Sequence, residues 1–240
     1  MLIINLFSIF LQMEDIVKLF QIILTIIILL SVNGCSARHQ QTNLKMKGVY
    51  AEIDTSNAID TIRLLSDKND NIVSDTIVSI KGNSENFAPP VLYELSRALF
   101  SLNKKDEAAF WFYAGQLRAR FDADRCSDIS ARQAVSVLNQ EYGTPINQYA
   151  FQDISKFESI IHSVVEWDRA TPHNYDHRWI NLHGLDATLS AMGEPSNNTS
   201  LSLPTEQWEE IAENARKKYL ENLEKVLLLA KSMQKEGKIP

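Results

Sequence analysis

Residues 92–120 read LYELSRALFSLNKKDEAAFWFYAGQLRAR, and the spacing of their apolar side chains decides the fold. Leu92, Leu95, Leu99 and Leu102 fall on one stripe of a helix predicted over residues 90–102, opened by prolines suited to a first helical turn. SLNKKDE makes a polar turn. A second helix, from Asp106 to about Phe121, carries Ala108, Ala109, Phe112, Ala114 and Leu117, with small residues where a neighbouring helix can approach closely. The two are expected to fold back on each other as an antiparallel hairpin.

Working outward, the same period recurs on both sides. Ile59, Ile62 and Leu65 predict a short helix after Ser56, a capping candidate. Ile72, Val73, Thr76, Ile77 and Ile80 fit a helix face, while their β-branched content leaves a strand as the alternative. Residues 82–90, GNSENFAPP, read as a loop. Downstream, Ser127 is a cap for a helix to about Tyr142, with Gly143, Thr144 and Pro145 as its stop and turn. Asp153 starts a helix to about Arg169, residues 190–204 read as an exposed loop, and Thr205 caps a last helix to about Lys235. The expected fold is all-α, an irregular bundle of six or seven helices built on antiparallel hairpins.

Residues 13–36, MEDIVKLFQIILTIIILLSVNGCS, predict location. The apolar block 19–30 is twelve residues, short of the roughly 20 that span a bilayer as a helix, and it ends in small residues before a cysteine. Residues 1–12 carry no charge, so Met13 is an alternative start. The expected organisation is a signal peptide over 1–34, a polar tether over 35–48 and a single helical domain over 49–240. An N-terminal transmembrane anchor is the competing reading. Cleavage before Cys35 leaves 23 basic against 28 acidic residues with no basic stripe, which argues against a nucleic-acid partner. Cys126 then stands alone and reads as a small buried hydrophobe.

Residues 171–185, TPHNYDHRWINLHGL, gather the densest set of functional side chains. His173, His177 and His183 have the H-x₃-H-x₅-H spacing of a zinc protease. Asn174 stands where that motif needs its general base, and Ile180 where it needs a turn glycine. An amide takes no proton from zinc-bound water, so a metal site is a minor alternative here, structural before catalytic. Tyr175, Arg178 and Trp179, with His173 and His177, form either a hydrogen-bonded corner between helices or a partner-binding patch. Asp122 and Asp124, beside Arg118, Arg120 and Arg125, read as a solvated ion-pair network at a helix end, with a charged docking site as the alternative. G-x-S-x-G, P-loop and G-x-G-x-x-G motifs are absent from the sequence.

Two resemblances add to this reading. Val32, Asn33, Gly34 and Cys35 resemble a bacterial lipobox, which implies lipidation of Cys35; Ser36 after it implies the outer membrane. The 92–120 hairpin resembles a tetratricopeptide or Sel1-type repeat, although no second copy occurs at a 34- to 36-residue period. Together with ARQAVSVLNQEYG, residues 90–185 are similar to immunity lipoproteins encoded beside type VI secretion effectors, especially lipases. That resemblance implies a stoichiometric inhibitor, without cofactor or catalysis of its own, that binds a toxic phospholipase effector in the periplasm. The alternatives are a tetratricopeptide-like scaffold lipoprotein of an envelope complex and, third, a metal-dependent hydrolase.

Overall fold

The computed structural model describes residues 46–194 and 200–235, with side chains described as far as Ser232. The predicted signal peptide, Cys35 and most of the tether lie outside the described residues. Eight α-helices occur among them: α1 (Ser56–Leu65), α2 (Asp70–Gly82), α3 (Pro89–Ser101), α4 (Lys105–Arg125), α5 (Gln133–Ala150), α6 (Ile154–Ala170), α7 (Leu185–Met192) and α8 (Trp208–Lys235). Short 3-10 segments complete the list at Gly48–Glu52, Ser84–Asn86, Ile129–Arg132, His177–His183 and Thr205–Gln207. No strand forms among the described residues beyond a single antiparallel bridge between Cys126 and Ser202. The fold class is all-α, as the periodicity predicts. No helix among the described residues is long and apolar enough to cross a membrane.

α4 is the axis of the molecule. It is buried on nearly every side, because alanines and aromatics alternate around its whole circumference instead of along one stripe. α3, α5, α6 and α8 all pack against it. The predicted hairpin is α3 with α4, and its turn is closed by Asn103, left-handed at φ 59°. Lys104 N–H donates to Leu99 O at 2.9 Å and Asn103 N–H to Phe100 O at 3.0 Å, the paired bonds of a Schellman ending. The two helices meet closest at Gly115, where an added Cβ would lie 3.1 Å from Tyr93 Cδ2 and 3.2 Å from Leu92 Cβ.

Two expectations about elements are corrected. Residues 143–145 do not end a helix, since α5 runs through them to Ala150. Leu138, Tyr142, Ile146 and Ala150 form one stripe on the main core, so both halves gain by staying collinear. Pro145 points to solvent, where water can meet the carbonyl left without a donor. Gly143 is a packing residue, because its Cβ would fall 3.1 Å from Phe112 Cζ. The other correction is α7, which raises the helix number above the six or seven expected. Its start is capped from afar: Asp128 Oδ2 accepts from Asp186 N–H at 3.1 Å while Oδ1 accepts from Ser130 N–H at 2.8 Å. Asp128, and not Ser127, therefore does the capping at this corner.

A second small core joins Tyr50, Ile53, Ala187 and Leu201, with Met46 packed against it. Ser190 Oγ donates to Lys47 O at 3.1 Å.

Candidate functional site

The stretch 171–185 wraps the C-terminal half of α4 and turns inward. Trp179 is 4 % exposed, and its Nε1–H donates to Asp122 Oδ2 at 2.7 Å. Tyr175 OH donates to the other oxygen of Asp122 at 3.3 Å, and Arg125 Nη2 reaches that same oxygen at 2.6 Å. Asp122 is fully buried; burial pushes its carboxyl above the usual range against the pull of Arg125 and Trp179. The Tyr175 phenol is likewise pushed well up by burial.

A second carboxylate, Asp168 on α6, holds three donors. Arg118 Nε contacts Oδ1 at 3.2 Å, His173 Nε2 meets Oδ1 at 2.9 Å, and Arg216 Nε reaches Oδ2 at 2.8 Å. Burial acts to raise this carboxyl, but His173, Arg118 and Arg216 together outweigh it and hold it below the usual aspartate range. Arg118 is wholly buried, lies 4.2 Å over the Trp167 ring, and donates to the carbonyls of Thr171 and Pro172 at 3.0 and 3.3 Å. Those carbonyls are how the 171–185 segment is pinned to α4. The aspartates and arginines of this helix end are therefore an interior network, which corrects the solvated reading for Arg118, Asp122 and Arg125.

The remaining residues of the stretch have separate partners. Asp176 accepts from Arg178 N–H at 2.9 Å and pairs with the guanidinium at 2.8 Å, while Arg178 also reaches Glu52 O at 3.4 Å. His177 Nε2 lies 2.7 Å from Ser202 Oγ, and its ring packs edge-on against Trp208 at 4.7 Å. His183 packs against Trp179 at 5.7 Å. The three imidazoles are dispersed because residues 171–176 are not helical and His177–His183 is a 3-10 segment, so the spacing never becomes one α-helical face. Among the described residues no group of three His, Cys, Asp or Glu side chains is arranged to hold a metal ion.

The chemistry open to these groups is limited by burial. His177 and Ser202 have the separation of a base and a nucleophile, yet burial, with Arg125 nearby, pulls the imidazole down to about 4, far below the near-neutral value that serves a general base. Cys126 is buried beside Asn181, whose Oδ1 it meets at 3.0 Å, and burial pushes its thiol up to about 11. It is a thiol at neutral pH and a poor nucleophile.

No family model, curated protein or solved structure matches the chain. The geometry alone divides the predicted patch. Trp179 is a buried donor to Asp122, Tyr175 donates to the same carboxylate, His173 is tied to Asp168, and Tyr175, His173, Arg178 and His177 are each partly exposed. A cleft of about 370 Å³ opens beside them, lined by Phe121, Arg125, Asp168, His173, Trp208 and Arg216. Its guanidiniums are already engaged: Arg125 by Asp122, Arg216 by Asp168 and Glu213. The partners of Asp122 and Asp168 were hidden in the sequence because, apart from the local Arg125 and His173, they lie 48–57 residues away. The one local signal was Arg118 and Asp122 sharing the face of Leu117 and Phe121, where no water reaches.

Proposed function

We propose that the chain is a lipid-anchored, periplasm-facing binding protein that neutralises an incoming toxic enzyme, a phospholipase delivered by type VI secretion. The lipobox-like run 32–35 ahead of a helical domain carries the reading: a toxin that attacks membrane lipids meets an inhibitor held at the membrane surface, where tethering raises its local concentration. The domain's chemistry supports the same reading. Its buried Asp122 and Asp168 are held by neighbouring donors, its thiol is protonated and its Ser–His contact has a weak base, which fits a chain that acts by presenting surface.

The test is capture on the purified mature chain from cells carrying an active secretion apparatus, followed by titration of any captured phospholipase. One equivalent of the chain abolishes phospholipid hydrolysis under this reading. Capture of envelope assembly components, with no enzyme inhibited, transfers the protein to the scaffold reading.

A further inference from the structure

A groove runs along α8. α5 and α8 both lie on α4, and between them two cavities of about 230 and 290 Å³ share Arg120 and Asn222 in their walls. On α8 the groove follows Ala215, Lys218, Asn222 and Val226, one helical stripe, over about 16 Å at the rise of an α-helix. Its two ends differ in chemistry. One is apolar, with Phe151, Phe157, Ile161 and Leu223; Phe151 is 46 % exposed and its ring meets Phe157 at 5.1 Å. The other is basic, with Arg120, Arg132 and Lys218 against a single acid, Asp124.

Arg120 stands at the junction. Its guanidinium lies 5.3 Å from the centre of the Tyr219 ring, and no carboxylate among the described residues pairs with it. This contrasts with its neighbours on α4, since Arg118 and Arg125 each hold a buried aspartate. Asp124, the nearest acid in the groove, meets Arg132 only at 3.9 Å. In a chain of net charge −6, the groove therefore offers locally unbalanced positive charge next to open aromatic surface.

We infer that this groove is the docking site for a partner's amphipathic helix of about 12 residues, with a carboxylate over Arg120 and an apolar side chain at the Phe151–Phe157 end. The spacing follows from α4. Tyr113, whose ring meets Phe157 at 5.4 Å, and Arg120 are seven residues apart, about 10 Å along the helix. The two anchors of the partner thus lie at i and i+7, on one face. The inference rests on the chain being a binding protein and is independent of the partner's being a toxin.

The test uses the full chain in detergent, immobilised, and a displayed library of random peptides of about 12 residues. The expected result is enrichment of Asp or Glu seven residues from Leu, Phe or Trp. Binding of the selected peptides should weaken at least about tenfold on Arg120→Glu and on Phe151→Ala. Both side chains are partly exposed, so helicity by circular dichroism should be unchanged. Selection repeated on Arg120→Glu should exchange the acidic anchor for Lys or Arg. Absence of a shared pattern, or equal binding to wild type and Arg120→Glu, overturns the inference. So does self-association that Arg120→Glu abolishes, since the groove would then face a second copy. A failed enzyme titration with a successful selection removes the toxin and leaves the groove.

Discussion

Asp168→Ala removes the single carboxylate that holds Arg118, Arg216 and His173. Arg216 keeps Glu213 at 2.5 Å. Arg118 is different. It is wholly buried and loses its only acid among the described residues, retaining the carbonyls of Ser84, Thr171 and Pro172 and the face of Trp167. Orphaning one member of a buried ion pair costs about 3–5 kcal/mol, and the retained carbonyls place this case near 3 kcal/mol. For a domain of this size that is a fall of roughly 9 °C in melting temperature. Urea unfolding followed by far-ultraviolet circular dichroism reads it as a lower midpoint at unchanged slope. The Arg118→Met, Asp168→Ala double variant should recover about 2 kcal/mol relative to additivity, because the orphaned charge is gone. The acid dependence has a definite sign. The carboxyl is held below its ordinary value, so its contribution is present above about pH 4 and is lost as pH falls through the lower folded value. The gap between wild type and variant should therefore close in strong acid. A loss under about 1 kcal/mol at neutral pH, or strict additivity in the double variant, would refute the hub.

Three further outcomes follow from local geometry. His177 is held neutral down to about 4 from 6.5, so the unfolded chain binds its proton first and stability falls as pH drops from 6.5 toward 4; His177→Gln should remove about 1–2 kcal/mol of that slope, discounted for partial exposure, in unfolding midpoints measured across the window. Gly184→Ala places a Cβ 2.1 Å from Asp128 Oδ2 and forces that carboxylate off Ser130 and Asp186, costing about 2 kcal/mol by denaturant unfolding; since Gly184 has φ −86°, a neutral result would remove the clamp and not a backbone effect. Cys35→Ser should release the protein from the membrane fraction without unfolding it, and retention there would favour an anchor helix.

Much of the bundle was legible because most helices carry their own apolar stripe. Asp153 caps α6 where the sequence places its start, and Asn69 caps α2 from the adjacent position. The misread places share a cause: the deciding partner is distant. Gly143 and Pro145 look like a stop until α4 supplies a surface long enough to hold both halves of α5. α7 borrows its cap from Asp128, 58 residues earlier. Tyr175 and Trp179 have the chemistry of interface anchors, but the same amphipathic tips satisfy a buried carboxylate, and only the fold shows that Asp122 waits beneath them. The histidine spacing failed for a local reason, the absence of an α-helix between His173 and His177. Arg120 was read with its neighbours as part of one network, and what sets it apart is the acid it lacks.

Survival of intoxicated cells is the most direct measure of the proposed neutralisation. Cells from which this gene is deleted, grown against sister cells with an intact secretion apparatus, should lose viability, and expression of the chain in trans should restore it. Full resistance of the deletion strain to its sisters would contradict the central claim.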